Sequence, residues 1–231
     1  MNAARALAWT IVCLITASMA QADFIDLPVK YEQGPYDPDP PNIVISNCAY
    51  AGWVWADDFP CNDTDPIVAV RWWGATNNDN PPDYVDAHIS FHLSTGDHPR
   101  SVPVDDPIVV YGVEAQQEQT GEVLFGEYLV CRYDAYLTVP FNQWTWSRQS
   151  PNEGELFIDI CVPDPDFNWC WIPMYDNINP IGDWAAYSDG HNGPWASDDF
   201  NLAFVLMTPE PATLALLGLG AAGLVARRRR K

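Results

Sequence analysis

Five close pairs of carboxylates offer the first chemistry: Asp57-Asp58, Asp63-x-Asp65, Asp105-Asp106, Asp164-x-Asp166 and Asp198-Asp199. Calcium takes about six to eight oxygen ligands, and loops can bring these together from distant parts of a chain. The set chosen here is Asp57 and Asp58 beside Asp198 and Asp199, holding one structural Ca²⁺. The chain has no EF-hand loop and no nonapeptide calcium repeat. With 31 acidic residues, neighbouring acids also arise by chance. Calcium is therefore a secondary expectation, and no other cofactor is expected.

Aromatic rings are the second resource. Trp53/Trp55, Trp144/Trp146 and Trp169/Trp171 are W-x-W pairs, a spacing that places both rings on one face of a strand. Such rings can stack on sugars, but large aromatics more often fill a core, and the core is the preferred reading. Trp184 and Trp195 stand among Gly, Asp and Pro, and they are the candidates for an exposed polysaccharide platform. His88 and His92 share a strand face about 13 Å apart, too far to hold one metal together. His98 and His191 are isolated, so zinc is not expected.

Catalytic signatures are sparse. A glycosidase needs two carboxylates across a cleft, and so many acids make no pair stand out. There is no G-x-S-x-G, HExxH, P-loop or Rossmann glycine pattern. Cys131 with a histidine would be a poor nucleophile pair if oxidised or buried. A non-catalytic protein is expected, with a small polysaccharide-active enzyme as the remote alternative.

Short strands must position these residues. Ile67 to Trp73 is rich in β-formers, and Ala87 to Leu93 alternates cleanly between apolar and polar positions. Further runs are Ile108 to Val113, Val123 to Val130, Tyr136 to Val139, Leu156 to Val162, Trp169 to Met174 and Leu202 to Met207. Proline, asparagine, aspartate and glycine clusters separate them, and no body segment keeps a 3.6-residue apolar period for three turns. The fold class is all-β, an antiparallel β-sandwich or jelly roll. Residues 23–45, with their prolines, read as an extended lead-in, and 46–208 as the domain.

The two ends read differently. Arg5 precedes an apolar run from Ala6 to Met19, and Ala20-Gln21-Ala22 fits signal-peptidase cleavage before Asp23. Residues 1–22 are thus a removable signal helix, and the body starts outside the cytoplasm. At the other end, Pro209-Glu210-Pro211 leads into Ala212 to Ala226 and then Arg227-Arg228-Arg229-Arg230-Lys231. Fifteen residues at 1.5 Å each span roughly 22 Å, against a hydrocarbon core of about 30 Å. This C-terminal hydrophobic helix is a marginal, transient inner-membrane anchor. Its cations stay on the cytoplasmic side.

Removing both ends leaves five basic side chains against thirty acidic ones, a net charge of about −25. Nucleic acid is excluded as a partner by repulsion. Abundant aromatic and β-branched residues exclude disorder. The cysteines left after signal removal, Cys48, Cys61, Cys131, Cys161 and Cys170, reach an oxidising compartment where pairing is the default. Cys48–Cys61 and Cys161–Cys170 are the short-loop choices, which leave Cys131 unpaired.

The tail resembles the PEP-CTERM sorting signal of Gram-negative bacteria: a Pro-Glu-Pro box at Pro209, Glu210 and Pro211, a hydrophobic helix, and the block Arg227, Arg228, Arg229 and Arg230. The resemblance implies processing by an exosortase, a membrane-embedded transpeptidase-like enzyme, after signal peptidase has acted. It also implies delivery to the cell surface or extracellular matrix. A second resemblance covers the body. Trp55-Ala56-Asp57-Asp58-Phe59 followed by Cys61, then Ile67 to Gly74, then Leu202-Ala203-Phe204-Val205 looks like an uncharacterised β-rich module of exported planctomycete proteins. Together these readings give an exported structural or interaction protein. A carbohydrate-binding module for extracellular polysaccharide is the alternative.

Overall fold

The computed structural model describes residues 27–33, 44–45, 53–61, 63–94, 99, 107–149, 154–163, 169–174, 185–189, 195–197 and 201–209. Among the described residues, fourteen strands follow in chain order. They are β1 (Val29–Gln33), β2 (Val44–Ile45), β3 (Trp53–Pro60), β4 (Ile67–Thr76), β5 (Tyr84–Leu93), β6 (Val109–Leu124) and β7 (Tyr128–Phe141). After these come β8 (Glu155–Cys161), β9 (Trp169–Trp171), β10 (Pro173–Met174), β11 (Ala186–Asp189), β12 (Trp195–Ser197), β13 (Asn201–Leu202) and β14 (Phe204–Met207). Among the described residues a short helix, α1 (Gln143–Ser147), follows β7.

The all-β, antiparallel expectation holds. Hydrogen bonding runs through one twelve-stranded sheet in the order β1-β14-β4-β7-β6-β5-β8-β3-β11-β12, with β9 beside β4 and β2 beside β9. A separate ribbon joins β10 to β13. The strands are not divided into two separately bonded large sheets, and the inner face of this one sheet meets itself across the core. Tyr31 of β1, at one end of the order, packs on Phe59 of β3, far along it, with ring centroids 6.5 Å apart.

Strand alternation builds the enclosed core. On β5, Val85, Ala87, Ile89 and Phe91 point inward, while Asp86 and His88 are exposed. The rings interlock: Phe91 stacks on Phe141 at 4.1 Å, and Trp72 stacks on Tyr133 at 5.4 Å. Trp55, Trp169 and Trp171 lie in the same cluster, so the preferred core reading holds for them. Trp144 and Trp146 do not follow the W-x-W expectation, because they lie on α1 rather than a strand. Five residues are too few to show a helical period. Arg148 sits 4.4 Å over the Trp144 ring, the i,i+4 contact of a helix.

Part of the supposed lead-in belongs to the sheet. Val29–Gln33 pairs with β14 and Val44–Ile45 pairs with β9. Its prolines hid two short strands whose partners are more than a hundred residues away. The β6–β7 hairpin ends in a tight turn, where Phe125 and Gly126 have φ of 53° and 77°.

Candidate functional site

The three sequence boxes of the body converge on one buried junction. Asp57 sits on the inner face of β3 between Trp55 and Phe59 and is completely buried. Its Oδ2 accepts the backbone N–H of Leu202 at 2.5 Å, across 145 residues of chain. Its Oδ1 accepts the N–H of Asp58 at 2.9 Å. In the amide orientation that its neighbours require, Gln33 donates to Asp57 Oδ2 at 2.9 Å and to the Leu202 carbonyl at 3.0 Å, while accepting from the Tyr31 hydroxyl. One carboxyl therefore ties β3 to β13 and to β1, closing the sheet on itself.

Burial, and then the neighbouring Asp58 charge, push Asp57 well above the ordinary carboxylate range, against the opposing pull of the Leu202 and Asp58 amides. Tyr31 is also raised, first by burial and then by the charges of Asp57 and Asp58, so its hydroxyl stays neutral. The junction continues through Ala203. Its carbonyl accepts the N–H of Trp73 at 3.3 Å and the indole of Trp171 at 3.1 Å. Gly74 completes it, because a Cβ there would lie 2.2 Å from Nε1 of Trp169. This chemistry joins strands inside the fold.

A second buried cluster lies on the outer face. Val54, Ala56, Phe157, Ala186 and Trp195 pack together there, and His92 meets Trp195 with centroids 6.0 Å apart. His92 Nε2 lies 2.5 Å from Asp159 Oδ2. Trp195, expected on an exposed platform, is only 9% exposed, because β12 lays it over this patch.

On the outer face, Tyr84, Asp86 and His88 of β5, Glu114, Gln116 and Glu118 of β6, and Tyr136 of β7 are exposed. An ion-pair ladder crosses this face: Arg71 Nε to Asp134 Oδ1 at 2.6 Å, Arg132 Nε to Asp134 Oδ2 at 3.1 Å, and Arg132 Nη2 to Glu118 Oε2 at 2.5 Å. The register explains it, since Arg71 faces Asp134 and Glu118 faces Arg132. Beside the ladder, Tyr84 and Tyr136 are 55% and 41% exposed. Sequence reading missed this face. Arg132-x-Asp134 alternation was visible, but its partners on β4 and β6 depend on register.

The cysteine pairing is corrected. Cys61 and Cys170 are free and buried, so neither Cys48–Cys61 nor Cys161–Cys170 forms. Cys161 is in a disulfide whose partner lies outside the described residues. A short separation in sequence misled here: Cys161 ends β8 opposite His88 of β5, whereas Cys170 faces Ala75 of β4. Cys131 is unpaired, as expected. Burial raises the thiols, Cys61 to about 12 and Cys131 and Cys170 to about 11.

Asp57 and Asp58 of the calcium set are both buried. Among the described residues, no group of three or more His, Cys, Asp or Glu side chains is arranged to hold a metal. His88 is exposed and His92 buried on one face of β5. Asp198, Asp199, Trp184, Cys48, Ala20, Ala22, Glu210, Pro211 and Arg227 to Arg230 lie outside the described residues. Pro209 is half-buried, two residues beyond β14. Among the described residues no helix is long and apolar enough to cross a membrane.

The fold and its buried junction thus define an antiparallel β-domain that ends directly at a C-terminal sorting box. Residues 29–207 match the Domain of unknown function (DUF7901), and the chain belongs to that family. Residues 208–230 match the PEP-CTERM protein-sorting motif. That motif marks an exported protein processed by an exosortase and directed to the surface or extracellular space of a Gram-negative bacterium. No curated protein matches the chain.

Proposed function

We propose that this is a non-catalytic structural or interaction protein of the cell surface or extracellular matrix. Its β-domain is released from a transient inner-membrane hold by processing at Pro209, Glu210 and Pro211. The observation that carries this reading is the abutment of domain and signal. The domain match ends at residue 207 and the sorting match begins at 208. Thr208 is still buried and Met207 pairs with Val29 of β1. The chain thus passes from a paired strand straight into the signal, and the whole body is cargo. The part that Asp57 and Gln33 take in tying strands together, and the close packing that Gly74 permits, support a non-catalytic body.

Wild type and the Glu210→Ala/Pro211→Ala variant, each tagged upstream, are to be followed in an exosortase-containing host by fractionation and C-terminal mass spectrometry. Wild type is expected outside the inner membrane without Arg227 to Arg230, and the variant in the membrane with them. A wild-type mature chain that still ends in the arginine block would refute the reading.

A further inference from the structure

We infer that the outer face of β5, β6 and β7 binds a neutral polysaccharide strand, with Tyr84 and Tyr136 as its stacking rings. The inference rests on the reading of the body as an exported interaction module and supplies its ligand class. Tyr84 lies opposite Gln116, and Gln116 lies opposite Asp134. Tyr136 stands one same-face step beyond Asp134 along β7. Two strand spacings and one such step separate the two ring positions by about 12 Å. That is close to the repeat of a disaccharide in an extended glycan. Alternate sugars of one strand can therefore meet successive rings.

Between and beside the rings lie groups suited to hydroxyls. Gln116 and Glu118 are exposed, and the buried Asp134 holds the half-buried Arg132 in place, so the Arg132 donors and the Glu118 carboxylate have fixed directions. Groups already held in place lose little freedom when a ligand binds, so each hydrogen bond contributes more. Charge selects the class of polymer. Glu114, Glu118 and Asp86 are exposed on this face, and the body carries a large negative excess. Anionic polymers are repelled. An apolar protein surface finds charged side chains around two well-separated rings. An uncharged polyol fits both the rings and the charges.

The test is affinity electrophoresis of the full chain in mild detergent, through gels containing galactomannan, hydroxyethyl cellulose, a soluble β-1,3-glucan, or alginate as the anionic polymer. At least one neutral polymer is expected to retard the protein, and alginate is not. Tyr84→Ala/Tyr136→Ala should raise the dissociation constant at least tenfold. Tyr84→Phe/Tyr136→Phe should bind like wild type. Phe125→Ala removes an exposed ring at the hairpin tip and should leave binding unchanged. Retardation by none of the neutral polymers, retardation by alginate instead, or equal retardation of the double alanine variant would each overturn the inference. Both tyrosines are exposed, so equal urea midpoints will show that the variants are folded. Fractionation of the processed chain does not depend on any glycan, so a failure here leaves the export reading standing.

Discussion

Replacing Asp57 with alanine tests the junction most directly. The carboxyl accepts two backbone N–H groups, from Leu202 and Asp58, and the Gln33 amide, all out of reach of water. Each buried donor left without an acceptor costs about 1–3 kcal/mol. Two orphaned backbone donors therefore cost about 4 kcal/mol, a large part of the roughly 5–15 kcal/mol that holds an ordinary domain together. With a urea dependence of about 2 kcal/mol per molar, the unfolding midpoint should fall by about 2 M. Tryptophan fluorescence will follow the transition, because Trp55, Trp72, Trp169 and Trp171 all lie in the core. Asp57→Asn keeps an acceptor for Leu202 but sets an amide hydrogen against the Asp58 N–H, so it should lose about half as much.

The two variants also separate by pH. The folded-state value of Asp57 is raised, so its contribution is fully present below the unfolded value of about 4 and is lost as pH rises through the folded value. The carboxamide of the Asp57→Asn variant has no such titration. The stability of wild type minus that of this variant should therefore fall as pH is raised from about 4. A loss below about 0.5 kcal/mol for Asp57→Ala, or a difference that rises with pH, would refute the role of this carboxyl in closing the sheet on itself.

Two further outcomes follow from packing and burial. Gly74→Ala places a methyl against the Trp169 indole and the Cys170 carbonyl, both within 3 Å, and a backbone carbonyl cannot swing away. It should cost about 1–3 kcal/mol or more, read as a lowered melting temperature with the indole fluorescence shifted to longer wavelength. Cys61, Cys131 and Cys170 should resist iodoacetamide at pH 8 in the folded protein, since burial holds them as thiols, and all three should react once guanidinium unfolds it. Rapid labelling of any of the three in the native state would contradict the placement found here.

Local chemistry was legible without coordinates. Ala87 to Leu93 lies within β5, although its polar Ser90 and His92 are buried, and Ile67 to Trp73 lies within β4. Both were readable because a period of two in side-chain character is a local consequence of the pleat. The Pro209-Glu210-Pro211 box and its arginines were readable for a similar reason: sorting machinery reads a contiguous segment, so the signal must be written contiguously. What misled were features whose meaning depends on distant partners. Trp195 stands in turn-rich sequence yet is covered, because β12 is carried over the patch around His92. The cysteine choices failed because strand order, and not sequence separation, sets which sulfurs approach.

The chain alone therefore determined its class of architecture, its excess of negative charge and its C-terminal sorting signal, since composition, pleat periodicity and a linear signal are all expressed residue by residue. Only the tertiary structure decided that Asp57 closes the sheet on itself instead of serving a loop, and that Arg71, Asp134, Arg132 and Glu118 form a ladder next to two exposed tyrosines. Those relations require particular strands to be neighbours in a particular register. Register is set by the packing of the whole core at once, and no window of sequence contains it.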